Sequence, residues 1–184
     1  HPAMGPIKKL YDEGKVAIIQ GIGYPNPSRS HFRSMDIWHT CEPTKVGDEG
    51  WVGRAIRDMD PQKENVLTGV NFGRGLPRAL AVPGVPVASV GNLETYGVLT
   101  GIEAEDQRLM ALETFSRTYS PMLGKGPVLS YFAQTGLDAL KGADILSTAL
   151  DNYTSSVKYG SDDVAQYMKN IVQTHLANLG TRVL

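Results

Sequence analysis

The residues best suited to chemistry are concentrated in one stretch, GYPNPSRSHFRSMDIWH, which spans residues 23–39. Within it, Ser30 and His31 are flanked by Arg29 and Arg33. A serine at the start of a helix is a candidate nucleophile, because the free N–H groups and the positive end of the helix dipole stabilise an oxyanion. The two arginines can hold phosphate or sulfate oxygens through paired N–H donors. His31 can act as a general acid or base, a metal ligand or a hydrogen-bond donor to the anion.

The same residues also suit an ordinary helix start. Ser28 and Ser30 are both good N-caps, and Pro25 and Pro27 favour an extended backbone in the loop before them. On this interpretation His31 packs against the protein and the arginines are solvated. The local pattern therefore leaves two alternatives open, a binding or catalytic site and a capped surface helix.

Two familiar kinds of ligand site do not fit this stretch. Gly21 and Gly23 begin a dinucleotide-binding fingerprint, but the third glycine is missing and the two prolines that follow remove N–H donors from the place where a phosphate would sit. His31 and His39 can share a helix face, but eight residues correspond to about 12 Å along the axis, too far to share one metal ion. The spacing therefore indicates neither a nucleotide cradle nor a metal site by itself.

A second cluster of candidate residues lies in the segment GWVGR, residues 50–54. The pattern predicts a helix over residues 51–59, with Trp51 anchoring its start in the core. Arg54 and Arg57 share a face of that helix. Arg54 can add positive charge to an anion site, while surface ion pairing is the alternative for both arginines.

The elements that must position these residues follow an α/β pattern. A helix is predicted over residues 4–13, and the run KVAIIQ, residues 15–20, predicts a strand buried on both faces. The candidate loop and a helix over residues 30–40 follow. Further strands are predicted over residues 65–72 and, because of the prolines, only briefly within residues 80–90. The last helix is predicted to begin at Ser161 and to bury Val164 and Met168.

Composition restricts the possible function classes. The 184 residues carry a formal net charge of -1, which argues against a nucleic-acid-binding surface. No apolar stretch approaches the roughly 18 residues that would span a bilayer, so no transmembrane segment is expected. Cys41 is the single cysteine, which excludes an intrachain disulfide. The length and the absence of a strong linker predict one domain over residues 1–184.

Taken together, the segments KKLYDEGKVAIIQGIGYPNPSRSHFRSMDIWH, GWVGRAIRD and ANLGTRVL resemble the bacterial family known as domain of unknown function 1501, above all its planctomycete-type members. The resemblance extends over essentially the whole chain. It implies a relationship to the alkaline phosphatase and sulfatase superfamily. The implied fold is an α/β three-layer sandwich, in which helices flank a mostly parallel sheet.

The resemblance also implies a function and a set of site residues. The expected activity is metal-dependent hydrolysis of phosphate or sulfate esters, small molecules or glycans, with Zn²⁺, Mn²⁺, Mg²⁺ or Ca²⁺ as cofactor. Ser30 takes the nucleophile position, with His31 beside it as metal ligand or acid/base. Arg29, Arg33 and Arg54 bind the remaining oxygens. The alternative is a noncatalytic anion- or glycan-binding protein on the same fold.

The resemblance further implies that the chain is an incomplete part of an exported protein. Members of the family typically carry a twin-arginine export signal and an early strand and loop with a metal-binding aspartate. They also carry later acidic and histidine-rich metal motifs, and none of these features occurs in the 184 residues. The expectations are therefore an incomplete domain, a periplasmic or extracytoplasmic location, and no hydrolytic activity for the chain alone.

Overall fold

The computed structural model describes residues 1–96, 102, 104–151 and 153–184. Over these residues the protein is a mixed α/β structure, about half helical, with a small two-stranded parallel sheet. The chain divides into two compact units, His1–Met35 and Asp36–Leu184. The regular elements are α1 (Gly5–Asp12), α2 (His31–Thr40), α3 (Trp51–Met59), β1 (Val70–Phe72), β2 (Ala88–Val90), α4 (Glu105–Tyr119), α5 (Pro127–Asp151) and α6 (Asp163–Leu176).

The sheet of the second unit is shorter than the sequence pattern predicts. Its strands are parallel, with Val70 opposite Ala88, and a single bridge joins Gly69 to Val183 on the other side of β1. The predicted strand over residues 65–72 forms only from Val70, because the Asn65 side-chain carbonyl accepts the N–H of Leu67 at 2.9 Å. Such an Asx turn diverts the backbone from the strand. The short strand predicted within residues 80–90 is confirmed as β2.

The core of the second unit lies between this sheet and α5. Leu67, Val90 and Leu146 are fully buried there, together with Val70 and Ala149. Branched aliphatic side chains on a parallel strand are typically covered on both faces. Burying each such side chain contributes about 1.5–3 kcal/mol, so this cluster is the main source of stability in the sheet region.

Helix α3 approaches its neighbours through a glycine and not through its tryptophan. A Cβ atom at Gly53 would lie 2.5 Å from the backbone oxygen of Leu80 and 2.6 Å from Val82. This close approach buries Gly53 and Ile56 and leaves Trp51 47% exposed. The prediction that Trp51 anchors the start of the helix in the core is therefore wrong, since the face that carries Gly53 and Ile56 packs inwards.

Helix α6 is turned so that polar side chains are its buried residues. Asn170, Gln173 and Thr174 are buried, whereas Val164 and Met168 are 70% and 50% exposed. The prediction is wrong for Val164 and Met168, because periodicity identifies an apolar stripe but not the neighbour that covers it, whereas Ile171, Val172 and Leu179 of the same predicted face are partly buried. The cap also differs by one residue, since the Asp162 side chain, and not Ser161, accepts the N–H of Ala165 at 3.0 Å.

The first unit contains helix α1, as predicted, but not the predicted strand. Residues 15–20 form no regular structure, and Ile18 and Ile19 are 70% and 74% exposed. No residue of 1–35, all of which the structure describes, is buried. A strand requires a neighbour to pair with its N–H and C=O groups, and no described segment pairs with residues 15–20. The prediction of a doubly buried strand is therefore wrong for this structure.

Candidate functional site

The start of α2 carries the residues that the sequence singled out. The backbone oxygen of Ser30 accepts the N–H of Ser34 at 2.9 Å, and its Oγ accepts the N–H of Arg33 at 3.4 Å. Ser30 is therefore the N-cap of α2, as the capped-helix alternative in the sequence analysis requires. The first turn of α2 contains no acidic residue, so no carboxylate offsets the positive end of the helix dipole there.

A small hydrogen-bond network holds the loop before Ser30. The Ser28 Oγ accepts the N–H of Ser30 at 3.2 Å, and the Ser34 Oγ donates to the backbone oxygen of Ser28 at 2.9 Å. The Tyr24 hydroxyl accepts the N–H of Ser28 and lies 3.2 Å from the Ser34 Oγ. These bonds tie the residues that precede the helix to its first turn, which orients Ser30.

Sequence reasoning did not identify Tyr24 as part of this arrangement. Its hydroxyl joins two serines that are six residues apart. The sequence carries no signal for this role of Tyr24, because the contact depends on the path of the loop between Tyr24 and Ser34. Asn26, between these prolines, adopts a positive φ of 54°. Asparagine tolerates that conformation better than most residues, which explains how the chain reverses at this point.

Four of the five predicted site residues lie together at this helix start. Ser30, Arg29 and His31 are exposed, and Arg33 is partly buried. The cationic side chains of Arg29 and Arg33 flank a serine that sits at a helix N-terminus. A helix N-terminus, a hydroxyl and two guanidinium groups within five residues form an arrangement that favours a small oxyanion.

The fifth predicted residue, Arg54, belongs to the second unit. Its guanidinium donates at 2.9 Å to the backbone oxygen of Glu49 and at 2.9 Å to that of Thr40. These bonds anchor the loop before α3. The neighbouring Arg57 pairs with the Glu49 carboxylate at 2.8 Å, and that hydrogen bond raises the pKa of the guanidinium. Arg57 therefore forms a surface ion pair, which is the alternative that the sequence analysis gave for both arginines.

A metal site would require several ligating side chains close together. Across the part of the chain that the structure describes, no group of three or more His, Cys, Asp or Glu side chains is placed to hold a metal ion. A protein metal centre generally takes three or four such ligands. His31 alone does not meet this requirement, so the described residues do not fit a metal centre.

Comparison with known proteins adds no assignment. The chain has no significant match among family models, curated proteins or solved structures.

Within the described residues, not one helix combines the length and the apolar character needed to traverse a lipid bilayer.

Proposed function

We propose that the N-terminal end of α2 binds a phosphate or sulfate group, and that Ser30 is the nucleophile of a phosphate- or sulfate-ester hydrolase. The observation that carries this proposal is the position of Ser30, which caps α2 between Arg29 and Arg33. The backbone N–H of Arg33 already points at the Ser30 Oγ. A donor in this position stabilises the alkoxide and lowers the cost of deprotonating the hydroxyl.

In the proposed reaction each residue acts on a defined atom. The Ser30 Oγ attacks phosphorus or sulfur and passes its proton to His31. As the bond to the ester oxygen breaks, His31 gives that proton to the departing oxygen, which leaves as the alcohol. Arg29 and Arg33 hold the oxygens that do not react. Water then cleaves the seryl ester and restores the hydroxyl. Because the described residues do not fit a metal centre, no step here passes through a metal.

The resemblance noted in the sequence supports a finer fold assignment, which we also propose. In an alkaline phosphatase-like sandwich, residues 15–20 would join a central parallel sheet and deliver the chain to the nucleophile. The parallel pairing of β1 with β2 is compatible with such a sheet. The exposed isoleucines and unpaired backbone of residues 15–20 are what a strand without its neighbours would show. The same resemblance supports a bacterial, extracytoplasmic protein.

A noncatalytic role is the second candidate, and one observation favours it. The Ser30 Oγ serves as the helix cap, which is a complete structural role. An anion- or glycan-binding protein would need only the helix N-terminus and the arginines. Both candidates share the anion site and differ in whether the ester bond is cleaved.

Two measurements test the proposal. In the first, inorganic phosphate or sulfate is titrated into the 184-residue chain while backbone amide resonances are followed by NMR. We expect the amides of residues 30–33 to shift. Arg29→Gln and Arg33→Gln are expected to weaken binding by about threefold each, as for exposed ion pairs. Arg74→Gln, which replaces an exposed arginine of the second unit, is the matched control and should leave binding unchanged.

The second measurement is hydrolysis of 4-nitrophenyl phosphate and sulfate by the product of the complete reading frame, with and without each of Zn²⁺, Mn²⁺, Mg²⁺ and Ca²⁺, because the 184 residues alone are expected to be inactive. Hydrolysis that Ser30→Ala abolishes supports the enzyme, and hydrolysis that survives in Ser30→Ala removes Ser30 from the mechanism. Anion binding without hydrolysis supports the binding protein. Absence of both binding and hydrolysis overturns the assignment of this site.

A further inference from the structure

The second unit contains a cleft that the proposed anion site does not involve. It has a volume of about 370 Å³ and lies between the segment of residues 81–88 and helix α5. This volume falls in the range of pockets that hold small molecules. One wall is apolar, since Val82 and Ala88 are buried and Pro83 and Pro86 lie beside them.

The opposite wall is a polar and aromatic face of α5. Tyr131, Gln134, Thr135 and Asp138 have the spacing i, i+3, i+4 and i+7, which places them on one face of the helix, and all four line the cleft. A helix face packed against an apolar segment would normally be apolar itself. Here Tyr131 is 52% exposed, so the face borders the cleft and is not sealed against the opposite wall. The result is a cleft with one apolar side and one polar side.

The charged side chains among the described residues that line the cleft are all negative. Asp48 and Asp138 both line it, and no Lys or Arg is among the described lining residues. Neither carboxylate forms an ion pair with any residue in the described ranges. The Gln134 Nε2 donates to the Asp138 Oδ1 at 2.8 Å, which orients the carboxylate while the Oδ2 accepts no hydrogen bond within the described residues. An oriented carboxylate with an available oxygen is complementary to a cationic donor.

We propose that this cleft binds a small organic amine. The ammonium group donates to the Asp138 Oδ2, with the Asp48 carboxylate adding negative charge. The ring of Tyr131 supplies a face for cation–π attraction, and Tyr96 closes the cleft. The carbon skeleton of the amine packs against Val82 and Pro86.

The test compares three probes that share a phenyl group and differ in charge. These are 2-phenylethylammonium, neutral 2-phenylethanol and anionic 3-phenylpropionate, each titrated into the 184-residue chain and followed by NMR. We expect the amine to bind about tenfold more tightly than the alcohol, as a charge-assisted hydrogen bond contributes. The anion is expected to bind more weakly than either.

Variants separate the cleft from general charge effects. Asp138→Asn keeps the side-chain volume and the oxygen that accepts from Gln134, and it should weaken amine binding about tenfold. Tyr131→Leu should weaken it about threefold through loss of the aromatic face. Asp144→Asn is the matched control on α5, because Asp144 lies outside the cleft lining and should leave binding unchanged.

One further variant tests whether a nearby positive charge opposes amine binding. The Lys63 Nζ would lie 3.3 Å from a Cβ at Gly84, which lines the cleft. Replacing it in Lys63→Met removes a positive charge from this end and should leave amine binding as tight or make it tighter. Equal affinity for the amine and the alcohol would overturn the proposal, as would unchanged binding in Asp138→Asn. Far-UV circular dichroism of each variant shows whether it is folded, and every folded variant decides the question.

Discussion

Two glycines of α5, Gly136 and Gly142, have different surroundings, and alanine at each position should change the free energy of unfolding in opposite directions. A Cβ at Gly142 would lie 3.4 Å from the Leu67 Cδ2 and 3.8 Å from the Val66 Cγ2, which are ordinary van der Waals distances. A Cβ at Gly136 would lie 2.7 Å from two ring atoms of Tyr119. Real Cβ atoms do not approach that closely, so the ring would have to move.

The expected magnitudes follow from two contributions. Alanine is favoured over glycine inside a helix by about 1 kcal/mol. At Gly142 the added methyl group also becomes buried, contributing up to about 0.8 kcal/mol, so Gly142→Ala should stabilise by about 1–2 kcal/mol. At Gly136 the same helical gain is set against overpacking of about 1–3 kcal/mol, because Tyr119 is stacked on Phe115 at 4.4 Å. Gly136→Ala should therefore destabilise by about 1 kcal/mol.

Urea unfolding followed by far-UV circular dichroism measures both effects. We expect the midpoint to rise for Gly142→Ala and to fall for Gly136→Ala, with the slope unchanged in each case. An unchanged slope assigns the shift to stability and not to a different denatured state. If both variants raise the midpoint by similar amounts, helix propensity alone accounts for the result and the packing argument is refuted.

Two further predictions concern single carboxylates. The backbone N–H groups of Asn65 and Glu64 donate to Asp60 and hold its pKa below the ordinary value, so the resulting stabilisation is complete above about pH 5 and is lost as the pH falls towards the folded-state pKa. Asp60→Asn should flatten the decrease in unfolding midpoint between about pH 5 and pH 3, and an equally steep decrease would contradict this cause. Asp162→Ala should cost about 1 kcal/mol of unfolding free energy through loss of the α6 cap. Asp163→Ala, which keeps the cap, should cost at most about 0.5 kcal/mol in the same urea experiment, and equal losses would rule out the cap as the cause.

The local signals in the sequence located helices well. The helix predicted over residues 51–59 coincides with α3, and the helix predicted from residue 30 corresponds to α2 with Ser30 as its cap. Capping side chains and the i, i+3, i+4 pattern act within a few residues, so they can be recognised without knowing the rest of the fold. The grouping of Ser30, His31 and the two flanking arginines followed from the same local information.

The failures share one physical cause, which is dependence on a distant neighbour. The apolar run at residues 15–20 has the composition of a buried strand, yet it is exposed because no described segment pairs with it. Trp51 is exposed because the contact of α3 is made through Gly53. The length of a helix depends on its own residues, whereas burial and strand pairing depend on which other segment arrives.

The sequence by itself therefore determined the helices and the start of α2, where a serine, a histidine and two arginines meet the positive end of a helix. Hydrogen bonds and caps between near neighbours are sufficient for that. Only the tertiary structure decided which residues are buried. It also decided that β1 pairs with β2, and that a polar face of α5 stands opposite the apolar segment of residues 81–88. Those arrangements join residues 18 or more positions apart, and their energies depend on packing that no local pattern specifies.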